Sequence, residues 1–341
     1  MRILAGDIGA TKSLVALFEA GPSAGAAREA EGCSSVAIDL HLIREERFES
    51  GAYSRLEEIV IAFIGPDSGA GIEAACFGIA GPIVGGESRA VNLAWQVHCD
   101  RLARAIGIPR TRLVNDFQAV GHGIECLRPR DLVSLQDGRT EPRGPIALMG
   151  AGTGLGEGFL TWTPSSYRVH PSEGGHCDFA PRTTCESDLL DYLRARHGHV
   201  SYERVLSGPG LSALYRFVIE TQGIAESQRV SEEMAGGDPA PVITRHALAR
   251  TDDACARTLD LFISVYGAEA GNLALKILPT GGLYVAGGIA PRIVERMRDG
   301  GFIEAFRDKG RHAGVLETIP VRVVMNAHVG LLGAAAIASR T

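Results

Sequence analysis

The sequence predicts two α/β domains, each a mixed sheet flanked by helices, and three observations carry that prediction. First, Gly6–Phe18, "GDIGATKSLVALF", sets apolar runs on either side of a short Gly/Thr turn, which is the pattern of a β-hairpin. Second, the pattern returns at Pro145–Leu160, "PIALMGAGTGLGEGFL", as a repeat of architecture rather than of spelling. Third, 341 residues are enough for two cores. The boundaries expected are 1–115 plus 326–341 for a small domain and 116–325 for a large one, with the return crossing at "NAHVGLLG" (Asn326–Gly333).

The elements follow in order. After the first hairpin, Glu19–Ser35 is small and polar and reads as a loop or linker insertion, and Val36–Ser50 reads as strand. Arg55–Ile64 has helical spacing. Ala74–Ile79 is a strand core ending in a Gly-Pro turn, and Cys99–Ile108 is an amphipathic helix. "RTRLVNDFQAVGHGI" (Arg110–Ile124) is a strand that breaks at Asn115-Asp116 into a helix. Past the second hairpin, Glu186–Gly198 and Gly208–Gly223 have the i, i+3, i+4 apolar pattern, whereas Thr221–Pro241 is polar and reads as a mobile stretch. Asp253–Ile277 is a long, mostly buried helix. Gly281–Val294 is a buried strand, a Gly-Gly turn and a helix with Pro291 in its first turn. A last strand in Pro320–Asn326 precedes the small-residue helix Gly330–Ser339.

Composition narrows the class of function. Apolar residues make up 45% of the chain, as in a globular protein, and the net charge of −6 does not suit nucleic acid or an anionic membrane. No apolar run approaches the roughly 20 residues of a membrane span. The N-terminal residues read as a strand rather than a secretory leader. Seven cysteines without a CxxC pair read as free thiols of a reducing cytosol, and the chain is expected to be cytoplasmic.

Gly6–Lys12 is not a phosphate loop of the GxxxxGK[ST] type, because Thr11 stands before Lys12 and a strand follows instead of a helix. Glycine turns still expose backbone N–H groups to an anion. Gly6–Lys12 and Gly150–Gly158 each add a threonine hydroxyl, Thr11 and Thr153, and Gly287-Gly288 makes a third such turn after a buried strand. Together they point to a nucleotide cleft. "LVNDF" ends a strand with Asp116, a candidate general base or, equally, a helix cap. "HPSEGGHCDFAP" (His170–Pro181) gathers Glu173, His176 and Asp178 about a Gly-Gly turn, a set suited to vicinal hydroxyls of a sugar. Zinc on His170, His176, Cys177 and Cys185 is the lesser reading, since the spacing matches no common zinc pattern.

Read together, "GDIGATKSLVALFE", "FGIAGPIVGGESRAVNLAW", "LVNDFQAVGHGI", "GAGTGLGEGFL", "SEGGHCDFAP", "HVSYERVLSGPGL" and "LYVAGGIAPRI" resemble the bacterial glucokinase family of the hexokinase/actin-like ATPase superfamily, over nearly the whole chain. The resemblance implies a two-domain actin-like ATPase (ribonuclease H-like) fold with a cleft between domains that close on the sugar. It implies ATP-dependent phosphorylation of D-glucose, with ATP and Mg²⁺, in a homodimer. By the same resemblance Asp116 is the base; Asn115, Glu173, His176 and Glu203 hold the sugar; Asp7 orients the metal; Gly9, Thr11, Gly152 and Thr153 line the triphosphate; and Gly287 and Gly288 admit the adenosine. A kinase for another hexose, and a non-catalytic sugar sensor or actin-like ATPase, stand as alternatives. Three departures are visible. Ala10 replaces a glycine, Glu157 places an acid in the second glycine stretch and must point away from phosphate, and "APRTTCESD" (Ala180–Asp188) lacks the CxCGxxGC cluster of the related sugar-kinase and repressor family.

Overall fold

The computed structural model describes residues 1–22, 38–65, 71–81, 83–89 and 95–341. The chain forms two compact units: residues 1–131, 160–171 and 326–341, and residues 132–159 and 172–325.

The first unit opens with β1 (Arg2–Ile8) and β2 (Lys12–Pro22), paired antiparallel as the hairpin pattern requires. β3 (Ile38–Glu49) pairs antiparallel with β2. Glu19–Pro22, read as loop from their small side chains, are therefore ladder residues, and residues 23–35 of that expected insertion lie outside the described residues. Helix α1 (Leu56–Ile64) buries Leu56, Ile59, Val60 and Phe63 at helical spacing. β4 (Ala74–Ile79) runs parallel to β1 and is buried along its length. A small antiparallel meander follows: β5 (Ile83–Val84), β6 (Glu87–Arg89) and β7 (Gln96–His98). Helix α2 (Cys99–Ile106), β8 (Thr111–Asn115) and α3 (Asp116–Ile124) complete the run, with β8 parallel to β4. The sheet order is β3-β2-β1-β4-β8.

The second unit holds β9 (Leu132–Gln136), β10 (Ile146–Ala151) and most of the mixed sheet that β11 (Leu155–Trp162) and β12 (Tyr167–Ser172) extend. Its helices are α4 (Thr184–His197), α5 (Gly208–Thr221), α6 (Gln228–Met234), α7 (Pro239–Ala249) and α8 (Asp253–Ile277). Part of the polar stretch read as mobile is thus helical. Asp238 caps α7 by accepting a bond from the Ala240 N–H, and Val230, Val242 and Ile243 are buried. β13 (Gly282–Ala286), α9 (Ala290–Met297), α10 (Gly301–Arg307), α11 (Ala313–Glu317) and β14 (Val321–Val324) close the unit. The order is β12-β11-β10-β13-β14-β9, with β10, β13 and β14 parallel.

The chain then returns to the first unit as α12 (Val329–Ser339). Glycine decides how close α12 comes to α3: a Cβ at Gly333 would collide with the Ala119 carbonyl, and one at Gly123 with that of Val329. Leu331, Ala334, Ala335 and Ala338 of α12 join Ile3, Ala5, Ala16, Phe18 and Cys76 in one buried cluster on the sheet.

Candidate active site

Parallel strands β1, β4 and β8 end on one edge, where a doubly covered sheet leaves room for a ligand. Asp7 pairs in register with Gly78, and Ile79 with Asn115. Gly78 keeps that edge tight, since a Cβ there would stand 3.0 Å from Ala119 Cβ and 3.5 Å from Asp116 Cα.

Asn115, not Asp116, is the cap of α3. Its Oδ1 accepts bonds from the N–H groups of Phe117 (3.0 Å) and Gln118 (3.2 Å), and its Nδ2 donates to the Gly81 carbonyl at 3.1 Å. Asp116 occupies the first helical position, where Oδ1 accepts the Phe117 N–H at 2.8 Å. Asn115 and Asp116 thus share the Phe117 N–H, and that bond holds the Asp116 carboxylate at the mouth of the helix. Asp7 is half-buried next to it. Burial first, and then the Asp116 charge, push the Asp7 carboxyl up to about 6, while His328 opposes them.

The first turn, residues 9–11, is narrower than the glycine stretch suggested, since Gly6–Ile8 and Lys12 are ladder residues. Gly9 N–H donates to the Lys12 carbonyl (3.1 Å), the Ser50 hydroxyl donates to the Gly9 carbonyl (2.8 Å), and Ser50 N–H donates to the Thr11 carbonyl (2.9 Å). Ser50 also bonds Ser13 at 2.9 Å, so a buried serine pair braces the turn from behind. No local spacing in the sequence linked Ser50 to a turn so distant along the chain.

In the second unit the glycine turn is Gly152–Gly154, joining β10 and β11. Gly152 N–H donates to the Gly154 carbonyl and Gly208 N–H to the Gly152 carbonyl, both at 2.8 Å, which ties the turn to the start of α5. Ser207 caps α5 through the Gly210 N–H (3.0 Å). Gly287, at φ 83°, packs against the end of β10, where a Cβ would strike the Ala151 carbonyl. Ile289 N–H then donates to that carbonyl at 3.2 Å. Gly152 and Thr153, Gly208 and Ser212 of α5, Thr244 of α7 and Arg292 of α9 line a cavity of about 980 Å³ with Gly288 at its wall. That volume lies at the upper end of the ~300–1,000 Å³ typical of small-molecule sites. The α7 wall was not legible, because the first residues of the helix, Pro239–Pro241, fell in the stretch read as polar.

Glu173, His176 and Glu203 are brought together. Glu173 and His176 bracket a turn closed by the His176 N–H to Glu173 carbonyl bond (3.0 Å), and both side chains are exposed. Gly174 and Gly175 allow the turn to lie flat on β11, for a Cβ at Gly175 would collide with the Leu155 carbonyl. Glu203 Oε2 accepts the Leu155 N–H at 2.9 Å, and its Oε1 is 3.9 Å from His176 Nε2. Glu203 is no cap: Ser201 caps that turn by accepting from the Arg204 N–H. Asp178 instead pairs with His199 at 2.8 Å, and His170 with Thr161 at 2.8 Å. Glu157 lies outside the turn, on β11, with its side chain directed into the interior.

A family model described as glucokinase matches residues 4–341. The chain belongs to the glucokinase family. It is 45% identical over 99% of both chains to a glucokinase of Nostoc punctiforme, and 41% identical to one of Synechocystis sp. over 100% of this chain and 99% of that one. Among solved structures it resembles a glucokinase from an Antarctic psychrotroph, at 30% identity, TM-score 0.82 and coverage of 100% and 99%. It also resembles in fold a glucokinase of Streptomyces griseus from the ROK family, solved with glucose and AMPPNP (18%, TM-score 0.62, full coverage of both chains). The fold is thus the two-domain actin-like ATPase fold of glucokinases and sugar kinases, and the chain is a kinase. Among the described residues, no helix is long and apolar enough to cross a membrane.

Proposed function

We propose that this glucokinase transfers the γ-phosphoryl group of ATP to the 6-hydroxyl of D-glucose, with Asp116 as the general base. The observation that carries this reading is the placement of Asp116 at the first position of α3, at the end of β8 and beside the Asp7 carboxyl, with Asn115 as the cap residue. A base so placed contributes about 10²–10⁴-fold. Asn115 has a second amide hydrogen beyond the one given to Gly81, and it donates to the sugar. Glu173, His176 and Glu203 take the remaining hydroxyls, with Glu203 held ready by the Leu155 N–H.

The residues also fit the nucleotide and its metal. The glycine turns at 9–11 and 152–154, with the hydroxyls of Thr11 and Thr153, suit phosphate oxygens. The 980 Å³ cavity beside Gly287 and Gly288 suits the adenosine. Asp7 supplies the oxygen a hard cation prefers, and the repulsion between Asp7 and Asp116 is what a divalent cation would relieve. When bound, Mg²⁺ supplies neutralisation of the charge on the transferring phosphoryl group. Alignment and charge stabilisation are the protein's main contributions to such a transfer.

Coupled ADP-release assays with glucose and a panel of other hexoses test the reading. Glucose-dependent turnover is expected. Preference for a different hexose would reassign the substrate, and equal ADP release with and without sugar would overturn the kinase assignment to sugar.

A further inference from the structure

Beneath the two turns that carry Glu173, His176 and Glu203 lies a pair of acids that the reaction does not use. Glu157 of β11 and Glu269 of α8 are 2% and 0% exposed. They are within hydrogen-bonding reach of each other, yet Oε1 of each has no hydrogen-bond donor among the described residues. Two ionised carboxylates cannot satisfy one another, because both only accept; one proton between them satisfies both.

The pair is wired to both turns. A Cβ at Gly174 would collide with Glu157 Oε2, so the first turn rests directly on that carboxyl. On the other side Asn272 Nδ2 donates to Glu269 Oε2 (2.8 Å) and to the Tyr202 hydroxyl (2.9 Å), and Tyr202 in turn hydrogen-bonds Glu269. Tyr202 is the neighbour of Glu203. The charged and titratable groups around the pair are few. Lys276 Nζ is 3.8 Å from Glu269 Oε1, too long for a hydrogen bond. Lys309 is engaged with the Asn272 and Ala268 oxygens (2.7 and 2.9 Å) and is itself held down by burial and the Arg182 charge. The Tyr266 hydroxyl accepts the Ala151 N–H. Burial and the neighbouring acid push Glu157 up to about 7, and burial raises Glu269 as well.

We propose that Glu157 and Glu269 are positioning residues, joined by a single shared proton, that hold the Glu173–His176 and Tyr202–Arg204 turns in their sugar-binding arrangement. Loss of the proton sets two buried like charges against each other, parts β11 from α8 and releases Gly174. Sugar affinity therefore falls as the pair ionises, while the ATP cavity, whose walls lie elsewhere in the unit, is spared.

The inference rests on the reading of Glu173, His176 and Glu203 as sugar contacts, and the test separates the two. Glucose and ATP KM are measured from pH 6.5 to 9 for wild type, Glu157→Gln, Glu157→Ala, and the controls Glu173→Gln and Glu203→Gln. In wild type the glucose KM is expected to rise at least about 10-fold across that range while the ATP KM holds. Glu157→Gln, whose amide donates the bond the proton supplied, keeps a low and pH-independent glucose KM. Glu157→Ala raises it at every pH. The infrared carbonyl band of a protonated carboxyl, present in wild type at pH 7, is lost in Glu157→Gln; that readout stands even if Glu157→Ala does not fold. A Glu157→Gln profile that follows wild type, or a missing band, overturns the proposal while leaving the sugar contacts intact. Controls with unchanged glucose KM overturn the contacts, and the proposal with them.

Discussion

The two sheets share one plan and use it for opposite ends. Each contains a hairpin about a glycine turn, β1–β2 and β10–β11, and continues through parallel strands, β4 and β8 in one unit, β13 and β14 in the other. At the strand ends of the first, the chain places acids, Asp7 and Asp116, half-buried and close enough for one to raise the other's pKa. At the strand ends of the second it places glycines, Gly152 and Gly287, and its nearby acid, Glu157, is sunk into the core against Glu269. A scaffold that repeats does not repeat its chemistry; the side chains at the carboxyl ends decide it. On the proposed reading, one unit offers charge to a proton and a cation, and the other offers amides and a cavity to a nucleotide.

Substitutions in each unit should therefore separate in kind. The largest effect is expected at Asp116: Asp116→Ala lowers kcat at least about 10²-fold in steady-state assays. Next is Glu203→Ala, which removes a proposed sugar contact and orphans the Leu155 N–H; glucose KM is expected to rise by about 10–100-fold, equivalent to the ~1–3 kcal/mol of a charged hydrogen bond, with a smaller change in kcat. Gly287→Ala strains a backbone at φ 83° and pushes into the Ala151 carbonyl. It should cost about 1–3 kcal/mol of stability in urea melts and weaken ATP more than glucose.

The smallest effect concerns acid. His122 lies in the last turn of α3, with Nδ1 buried and without a hydrogen-bond partner among the described residues. Burial, then the Arg340 and Arg112 charges, hold it down to about 4. The unfolded chain therefore binds this proton first, so stability is lost as pH falls from about 6.5 towards 4. His122→Leu should remove about 1 kcal/mol of that acid loss, read as the difference between urea midpoints at pH 7 and pH 5.

Much of the fold was legible because its signals are local. The hairpins, the break at Asn115-Asp116, the Ala74–Ile79 strand and the long helix before Gly281 all sit where apolar period and turn residues put them. β9 and β12 were not, since both are half-exposed strands, and β9 pairs with β14, distant in the chain. α6 and the start of α7 were hidden by Gly and Pro that serve as helix boundaries. At the site, residue types about the Gly-Gly turn pointed to Glu173, His176 and Asp178, of which Asp178 pairs with His199 instead, and Glu203 came from the family resemblance alone. Ser50 and Glu269 gave no such sign. Each acts on a turn far away in sequence, and Glu269 lies within the mostly apolar stretch Leu261–Leu275 of α8.

The most direct test of the division of labour is titration calorimetry of glucose against Asp116→Ala, alongside its single-turnover rate at saturating ATP. A base that only removes a proton predicts glucose affinity within about threefold of wild type and a transfer rate lower by at least about 10²-fold. Glucose affinity that collapses in step with the rate, or a rate that survives the substitution, would contradict it.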